Sequence, residues 1–259
     1  MPRQPLEFYE REGISAESSL NDSARRLLRD YSHIPDDLVN HHVEQIRREA
    51  FRVAPYPCIG MFQFLDLSLK SMTDIYPDIL DRVKRGDKFL DLGCCLGQEI
   101  RQLVLDGAPS ANTYGSDLYG GFFDVGYRLF NDSKDSLDTT FIAADIFDDK
   151  SRLEKVALQV VRLLTPKPGS LIVGRQSGGE EAGENARKGA PGSAGPFTHN
   201  VRSWTELWEH IGKATGTRWS VEADLSLPEY TLCGVAEGKS KEMQSKISGK
   251  GLRYVIHRL

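Results

Sequence analysis

The sequence predicts an α/β fold: a doubly wound, mostly parallel sheet preceded by an N-terminal helical cap. Three observations carry this. Strand-like and helix-like segments alternate from Lys88 to Gly174, a glycine-rich turn joins the first strand to its helix, and acids stand at the ends of three successive strands.

Composition sets the frame. The chain has 259 residues, 39% hydrophobic and 27% charged, close to ordinary soluble domains and enough to bury a core without staples. Its 11 Phe, 9 Tyr and 3 Trp exclude disorder for the bulk of the chain. A net charge of −4, with no Lys/Arg stripe interleaved with aromatics, argues against a nucleic-acid partner. Cys58, Cys94, Cys95 and Cys233 form no C-x-x-C pair for zinc, and a bridge between the neighbours Cys94 and Cys95 would strain the peptide, so no metal is expected. The N-terminus lacks an apolar leader, and no run of about 18 apolar residues occurs. A reduced, cytoplasmic protein without a membrane span is the expectation.

Residues 1–86 read as a helical cap or substrate lid and 87–259 as the ligand-binding domain, the two forming a single compact unit. Within the cap, Leu20, Ala24, Leu27, Leu28 and Tyr31 recur at helical spacing over Ser18–Tyr31. A second helix starts after Ile34 with Pro35 in its first position and lines up Leu38, Val39, His42, Val43, Ile46 and Ala50. The adjacent His41 and His42 diverge on a helix and cannot share an ion. After Pro55-Tyr56-Pro57 the apolar stretch from Cys58 to Met72 is expected to be helical in its second half, and a short helix from Pro77 to Lys84 stops at Gly86.

The ligand-binding part then alternates. Strands are expected at Lys88–Leu92, Thr113–Asp117, Thr139–Phe147 and Ser170–Gly174, and helices at Gln98–Asp106, Gly121–Phe130 and Leu153–Leu164. The glycine-rich segment from Gly178 to Gly195 reads as a long loop, followed by a helix over Val201–Ala214 that carries Trp204, Leu207, Trp208 and Ile211 on one side. Strands at Arg218–Leu225 and Leu252–His257 close the chain around a basic, Ser/Gly-rich loop at Gly238–Lys250.

The chemistry concentrates on Phe89-Leu-Asp-Leu-Gly-Cys-Cys-Leu-Gly97, a strand-to-helix turn that brings a ligand to backbone and to a helix N-terminus. Asp91 precedes the glycines, and the dinucleotide pattern G-x-G-x-x-G is broken by Cys95. A carboxylate beside the turn repels a pyrophosphate but suits an ammonium, which is the logic of a site for S-adenosyl-L-methionine. Asp117, 20 residues beyond Gly97, is placed to accept ribose hydroxyls, and Asp145 in Ala143-Ala-Asp-Ile-Phe147 to meet an adenine amino group. The cofactor set is Asp91, Gly93, Cys94, Gly97, Asp117, Leu118, Asp145 and Ile146.

These segments, together with Asp106-Gly-Ala-Pro-Ser110 and Leu163-Leu-Thr-Pro-Lys-Pro-Gly-Ser-Leu-Ile-Val-Gly-Arg-Gln176, resemble the fungal class I methyltransferases of meroterpenoid biosynthesis of the austinol and terretonin type. The resemblance runs from about Tyr56 to the C-terminus, and its Gly-Cys-Cys turn is fairly specific. It implies a Rossmann-like class I fold, S-adenosylmethionine as methyl donor, a carboxylate or hydroxyl on a polycyclic acceptor, and a homodimer. Tyr56-Pro-Cys-Ile-Gly60 and Thr198-His-Asn200 look like the group's segments near the acceptor.

The chain departs from the family in one place. From Asp148 to Ser170 there are 23 residues with one helix, whereas two crossovers with a strand between them need on the order of 25–29 residues. The fourth strand and much of its helix are therefore expected to be missing. A right-handed single crossover would set Leu171–Gly174 beside the first strand and bring Arg175, Gln176 and Ser177 toward the methyl group.

A carboxylate acceptor is already ionised at neutral pH and needs no base, only donors to hold it and exclusion of water. Arg175, His199 and Gln176 are the candidate donors, with Tyr56, Cys58, Phe62 and Phe64 lining the acceptor pocket. For a phenol or alcohol, His199 is the candidate base. Two competing readings stay open: a catalytically impaired or non-enzymatic protein of the same fold, which the missing segment favours, and a dinucleotide-dependent enzyme, which Asp91 and Cys95 disfavour.

Overall fold

The computed structural model describes residues 4–144, 153–184, 197–226 and 250–259. The chain divides into two compact units, residues 2–145 and 146–259.

The first unit begins with short helices, α1 (Leu6–Arg11), α2 (Ala16–Ser19) and α3 (Asp22–Arg26), the last running into a π-helical turn at Leu27–Tyr31. The single helix expected over Ser18–Tyr31 is thus broken. Leu20 is extended, and the Asn21 side chain accepts from the Ala24 amide at 2.8 Å, which starts a new helix there. Helix α4 (Asp36–Val53) follows Pro35, which stands just outside it. The helix buries Val39, Val43, Ile46, Arg47 and Ala50 and packs on α8 (Gly121–Phe130). Leu38, expected on that stripe, is exposed, and Arg47 takes an inside position instead.

Segment 57–75 departs from expectation too. Only one turn of helix α5 (Pro57–Gly60) and a 3-10 turn at Gln63–Leu65 form. Phe62 and Leu67 sit at φ of 59° and 50°, left-handed values that no helix passes through. Gly60 lets the Tyr9 ring lie where a Cβ would stand 2.5 Å from it. Helix α6 (Tyr76–Lys84) then leads to the sheet.

That sheet is parallel, in the order β1 (Phe89–Leu92), β2 (Thr113–Asp117), β3 (Thr140–Ala143), with α7 (Gln98–Leu105) and α8 as crossovers. Asp91 is level with Gly115, and Asp117 with Ala143. On one face Phe141 stacks on Phe123 at 5.1 Å between centroids; a Cβ on Gly115 would lie 2.6 Å from its ring. On the other face Leu90, Leu92 and Ile142 are exposed. Strand β3 is described only to Ala143, so Asp145 and Ile146 lie outside the described residues.

The second unit holds α9 (Leu153–Leu163), β4 (Leu171–Gly178), the short pair β5 (Gly183–Glu184) and β6 (Phe197–Thr198), α10 (Val201–Thr215), β7 (Trp219–Ser226) and β8 (Lys250–Arg258). Its main sheet is antiparallel in the order β4-β8-β7. Ala157 and Val161 of α9 pack with Trp204, Trp208 and Ile211 of α10 and with Leu252 and Ile256 of β8. The loops expected around Gly178–Gly195 and Gly238–Lys250 fall mostly outside the described residues.

Leu171–Gly174 is the start of a longer strand whose ladder partner among the described residues is β8. Gly174 makes that pairing possible, because a Cβ there would lie 2.4 Å from the Tyr254 hydroxyl. Among the described residues no strand occurs between β3 and β4, only α9.

Candidate functional site

The Gly93–Gly97 turn is built by backbone geometry and then clamped from below. Gly93, Cys95 and Gly97 have φ of 75°, 52° and 73°. The amides of Gly93 and Cys94 both donate to the Ser116 carbonyl of β2, at 2.8 and 3.0 Å, and the Gly97 amide donates to the Cys94 carbonyl at 2.7 Å. Arg101, one helical turn into α7, reaches back under the turn: Nη1 donates to the Leu96 and Gly97 carbonyls at 2.8 and 3.3 Å. Its other two nitrogens fork onto Asp132 at 2.8 and 2.9 Å, and the Tyr31 hydroxyl donates to the same carboxylate at 2.7 Å. The guanidinium lies 4.7 Å from the centroid of the Phe130 ring. Gly97 must be glycine here, since a Cβ would stand 2.6 Å from Arg101 Nη1.

The acids beside the turn behave differently from one another. Asp117, ending β2, accepts from the Cys95 amide on Oδ2 at 2.9 Å and from the Tyr119 amide on Oδ1 at 3.2 Å, leaving further lone pairs on each oxygen. Asp91 is partly exposed as a residue, yet its Oδ2 is closed off from solvent and has no hydrogen-bond partner among the described residues. Burial, helped by the Asp117 charge, pushes its carboxyl up to about 7. Glu99, in the first turn of α7, accepts from the Leu69 amide on one oxygen at 3.1 Å, while its Oε2 is buried without a partner among the described residues. Burial first, and the Asp91 charge as well, push it up to about 8. Gln98 Oε1, at the same helix start, is also buried without a partner among the described residues.

Cys94 is buried and Cys95 half-buried; burial raises both thiols, with Asp91 and Asp117 adding to it. Thiols held protonated are neither nucleophiles nor metal ligands at neutral pH. No group of three or more His, Cys, Asp or Glu side chains among the described residues could hold a metal ion.

Of the expected acceptor-pocket residues, Tyr56 lies edge-on to Tyr119, with centroids 6.1 Å apart, joining the segment before α5 to the residues just after Asp117. Cys58 is exposed. Phe62 and Phe64 are core residues, 6.2 Å apart between centroids. In the second unit, Arg175 and Gln176 lie on β4, where Arg175 Nε and Gln176 Nε2 are buried without partners among the described residues. His199 bridges to Gly178, shares a hydrogen bond with Ser203 Oγ through Nδ1 at 3.0 Å and packs edge-on to Trp204. Burial lowers its pKa, so the imidazole is neutral near pH 7. Asp91, Gly93, Cys94, Gly97 and Asp117 gather around one turn, and the exposed Leu118 follows them; Arg175, Gln176 and His199 belong to the other unit.

Sequence reasoning missed Glu99, Arg101 and Arg47. A signal existed for two of them. Arg101 stands four residues after Gly97, one helical turn beneath the carbonyls it binds. Arg47 lies four and eight residues after the buried Val43 and Val39, on an apolar stripe. Fully buried, it donates through Nη1 to the Ile14 carbonyl at 3.1 Å and stacks 4.5 Å from the Phe62 ring centroid, with Nε and Nη2 unpartnered.

Similarity to known proteins covers most of the chain. Residues 8–65 match the meroterpenoid methyltransferase N-terminal domain. The chain is 42% identical to the O-methyltransferase phiE of a fungal species, over 80% of this chain and 76% of that protein. It is 42% identical to the asnovolin E/chermesin D methyltransferase of Aspergillus novofumigatus, over 83% of this chain and 88% of that protein. In the first comparison 233 aligned positions hold 80% of this chain's 259 residues, about 207, so about 26 positions of the relative face no residue here. In the second, 248 positions hold 83%, about 215 residues, leaving about 33. A phosphoethanolamine N-methyltransferase 2 of Haemonchus contortus in complex with S-adenosylhomocysteine is a distant likeness, with a TM-score of 0.49 and 14% identity over 82% of this chain and 59% of that one. No helix among the described residues is long and apolar enough to cross a membrane.

Proposed function

The chain belongs to the fungal meroterpenoid methyltransferase family, and from that premise we propose that it moves a methyl group from S-adenosylmethionine to a carboxylate oxygen of an apolar, polycyclic acid. The observation that carries the cofactor assignment is Asp91 Oδ2, a buried acceptor without a partner beside a glycine turn. A buried carboxyl oxygen left unpaired costs roughly 1–3 kcal/mol, and an ammonium placed there would remove that cost. Asp117 has lone pairs left for a ribose diol, and the exposed Leu118 offers an apolar surface for a purine. Above Gly93, a Cβ would meet nothing within 4 Å, so the turn is open on the side a ligand would approach.

Bound S-adenosylmethionine supplies an activated methyl on a sulfonium. The protein's part is to hold and exclude. Asp91 fixes the amino-acid end, Asp117 the ribose, and Asp145 and Ile146 stand in the sequence where an adenine would be met. The acceptor carboxylate, ionised near neutral pH, needs no base and only has to be held in line while water is kept out. Tyr56 precedes α5 and Cys58 lies in its first turn, and in this reading they form the apolar wall, with Phe62 and Phe64 in the core after that turn. Arg175 and Gln176 carry buried unpartnered nitrogens that suit a carboxylate, and the neutral His199 could take a proton were the acceptor a phenol. A homodimer, which the sequence resemblance implies, is part of the same proposal, and the free thiols of Cys58, Cys94 and Cys95 fit a reducing cytoplasm.

Calorimetry with S-adenosylhomocysteine and with NAD tests the cofactor; tight binding of NAD alone would refute it. Incubation with radiolabelled S-adenosylmethionine and a panel of polycyclic carboxylic acids and phenols tests the acceptor, with a base-labile methyl ester as the expected product. A second reading has its own support: about 26 to 33 aligned positions of the relatives are missing here, and a strand with its crossover is roughly that size. A protein that binds the cofactor but turns over no acceptor would be its signature.

A further inference from the structure

The sheet of the second unit sorts its side chains by face. Successive residues of a strand point to opposite sides, so Arg175 and Gln176, neighbours on β4, serve different surroundings. Arg175 shares its face with Arg253 of β8 and with Glu222 and Asp224 of β7, and Arg253 donates to Asp224 at 3.3 Å. Gln176 lies on the other face, level with Leu252 of β8 and Leu225 of β7, where α10 packs on the sheet. Its neighbours on that face of β4 are Gly174 and Gly178, so no side chain of its own strand covers it. Three rings stand over this stretch instead. The Tyr254 hydroxyl lies above Gly174, His199 is bridged to Gly178, and Trp204 is 4.6 Å from the Tyr254 ring centroid and 5.4 Å from that of His199. A capping box fixes the helix that carries Trp204: the Asn200 side chain accepts from the Ser203 amide at 2.8 Å, and Ser203 Oγ accepts from the Asn200 amide at 3.1 Å.

Two donors in this arrangement go unused. Trp204 is 4% exposed, and its Nε1, like Nε2 of Gln176, is closed off from solvent without a hydrogen-bond partner among the described residues. Buried donors without acceptors weaken a fold. Trp208 Nε1 is in the same condition, but that ring lies edge-on between Trp204 and Trp219, at 6.3 and 5.2 Å, where an N–H can face a ring. The groups around Gln176 and Trp204 are uncharged near pH 7, because burial keeps the Tyr254 hydroxyl protonated and the His199 imidazole neutral.

We propose that Gln176 and Trp204 form an uncharged two-donor subsite that takes a carbonyl or hydroxyl oxygen of the methyl acceptor. The subsite rests on the methyl-transfer reading and deepens it: the acceptor is a polycyclic acid that carries a neutral oxygen as well as its carboxylate. Two N–H donors match the two lone pairs of a carbonyl oxygen. A carboxylate does not suit the same place, since a buried charge needs a paired cation, and Arg175 projects to the opposite face. The rings of Tyr254, Trp204 and His199 offer flat apolar contact to the polycycle beside that oxygen. Gln176 and Trp204 thus select the acceptor, and the carboxylate that receives the methyl lies outside their subsite.

The test is calorimetry of the full chain, first with S-adenosylhomocysteine and then, in its presence, with fluorene, fluorenone and fluorenecarboxylate, which share one tricyclic frame. Fluorenone should bind about tenfold more tightly than either of the others, the gain expected from two ordinary hydrogen bonds. Gln176→Leu and Trp204→Phe should each weaken fluorenone about three- to tenfold and leave fluorene unchanged. The indole N–H peak of Trp204 in a proton–nitrogen correlation spectrum, identified by its loss in Trp204→Phe, should move downfield with fluorenone and stay in place with fluorene. Equal affinity of the wild-type chain for fluorenone and fluorene overturns the subsite, a result that needs no variant to fold. Tightest binding of fluorenecarboxylate, binding of none of the three, or equal weakening of fluorenone and fluorene by both variants overturns it as well. Absence of heat with S-adenosylhomocysteine overturns the methyl-transfer reading, and the acceptor role of the subsite with it.

Discussion

Arg101 and Asp91 lie ten residues apart, on either side of the same turn, and make opposite use of their charge. Arg101 is buried with all three nitrogen positions engaged, two on Asp132 and one on the Leu96 and Gly97 carbonyls. Asp91 has a buried oxygen with no hydrogen-bond partner among the described residues. Folding alone accounts for the first arrangement, since a forked ion pair with satisfied donors tolerates burial. It does not account for the second, which folding would remove unless something else retained it. The difference separates the architecture of the turn from its receiving face. Changes at the two positions should therefore move stability and ligand affinity in different proportions.

The largest effect is expected at the paired side. Arg101→Met leaves Asp132 buried with the Tyr31 hydroxyl as its remaining side-chain donor and removes a donor from each turn carbonyl, Gly97 keeping only the Arg101 amide at 3.2 Å. Breaking a buried pair from one side costs about 3–5 kcal/mol, read as a lower midpoint in urea unfolding. Affinity for S-adenosylhomocysteine should fall too, because the turn loses its anchor. A loss under about 1 kcal/mol would mean that the pair behaves as a surface ion pair and the turn is held by its backbone bonds alone.

At the unpaired side the sign reverses. Asp91→Asn removes a carboxylate that burial disfavours, so the ligand-free protein should gain about 1 kcal/mol at pH 8. It should also bind S-adenosylhomocysteine at least tenfold more weakly. Greater stability with weaker binding is the pattern of a site; a loss of both would make Asp91 another structural residue.

The same contrast has a pH signature. Unfolded, Asp91 and Glu99 ionise near pH 4; folded, they do so at about 7 and about 8. Between those limits the native state holds more protons than the unfolded one, so the stability of the ligand-free protein falls as pH rises from about 4 through about 8. Thermal melts should show a lower Tm at pH 8.5 than at pH 6.5, and the Asp91→Asn/Glu99→Gln double variant should flatten that slope. Saturating S-adenosylhomocysteine should flatten it as well, by making the ionised forms the favoured ones.

Much of the scaffold was legible because its signals are local. Strand β2 and helix α8 run from Thr113 to Asp117 and from Gly121 to Phe130, the bounds expected from the sequence. The 57–75 segment was not legible, since its breaks fall at Phe62 and Leu67, residues that avoid left-handed backbone unless tertiary packing imposes it. The partner of β4 is β8, some eighty residues away, and no local pattern encodes so distant a pairing. At the site, glycines and strand-end acids are recognisable by position. Charged residues within helices read as solvent-facing, which hid Arg101, Glu99 and Arg47. Arg101 and Arg47 turned out to be buried, and Glu99 to have one oxygen closed off without a partner.

The smallest expected effect probes how far the paired side extends. Tyr31 ends the π-helical turn, and its hydroxyl donates to Asp132 at 2.7 Å, while burial and that carboxylate raise its pKa. Tyr31→Phe deletes this one bond and leaves the Arg101 fork in place, so Asp132 stays satisfied. The cost should be about 1 kcal/mol, with S-adenosylhomocysteine affinity unchanged, because the turn carbonyls are bound by Arg101 and not by Tyr31. If Tyr31→Phe instead lost as much stability as Arg101→Met, the three groups would act as one cooperative network. The clamp beneath the turn would then reach into the N-terminal helices, and the boundary between architecture and receiving face would lie further from Asp91 than the hydrogen bonds alone place it.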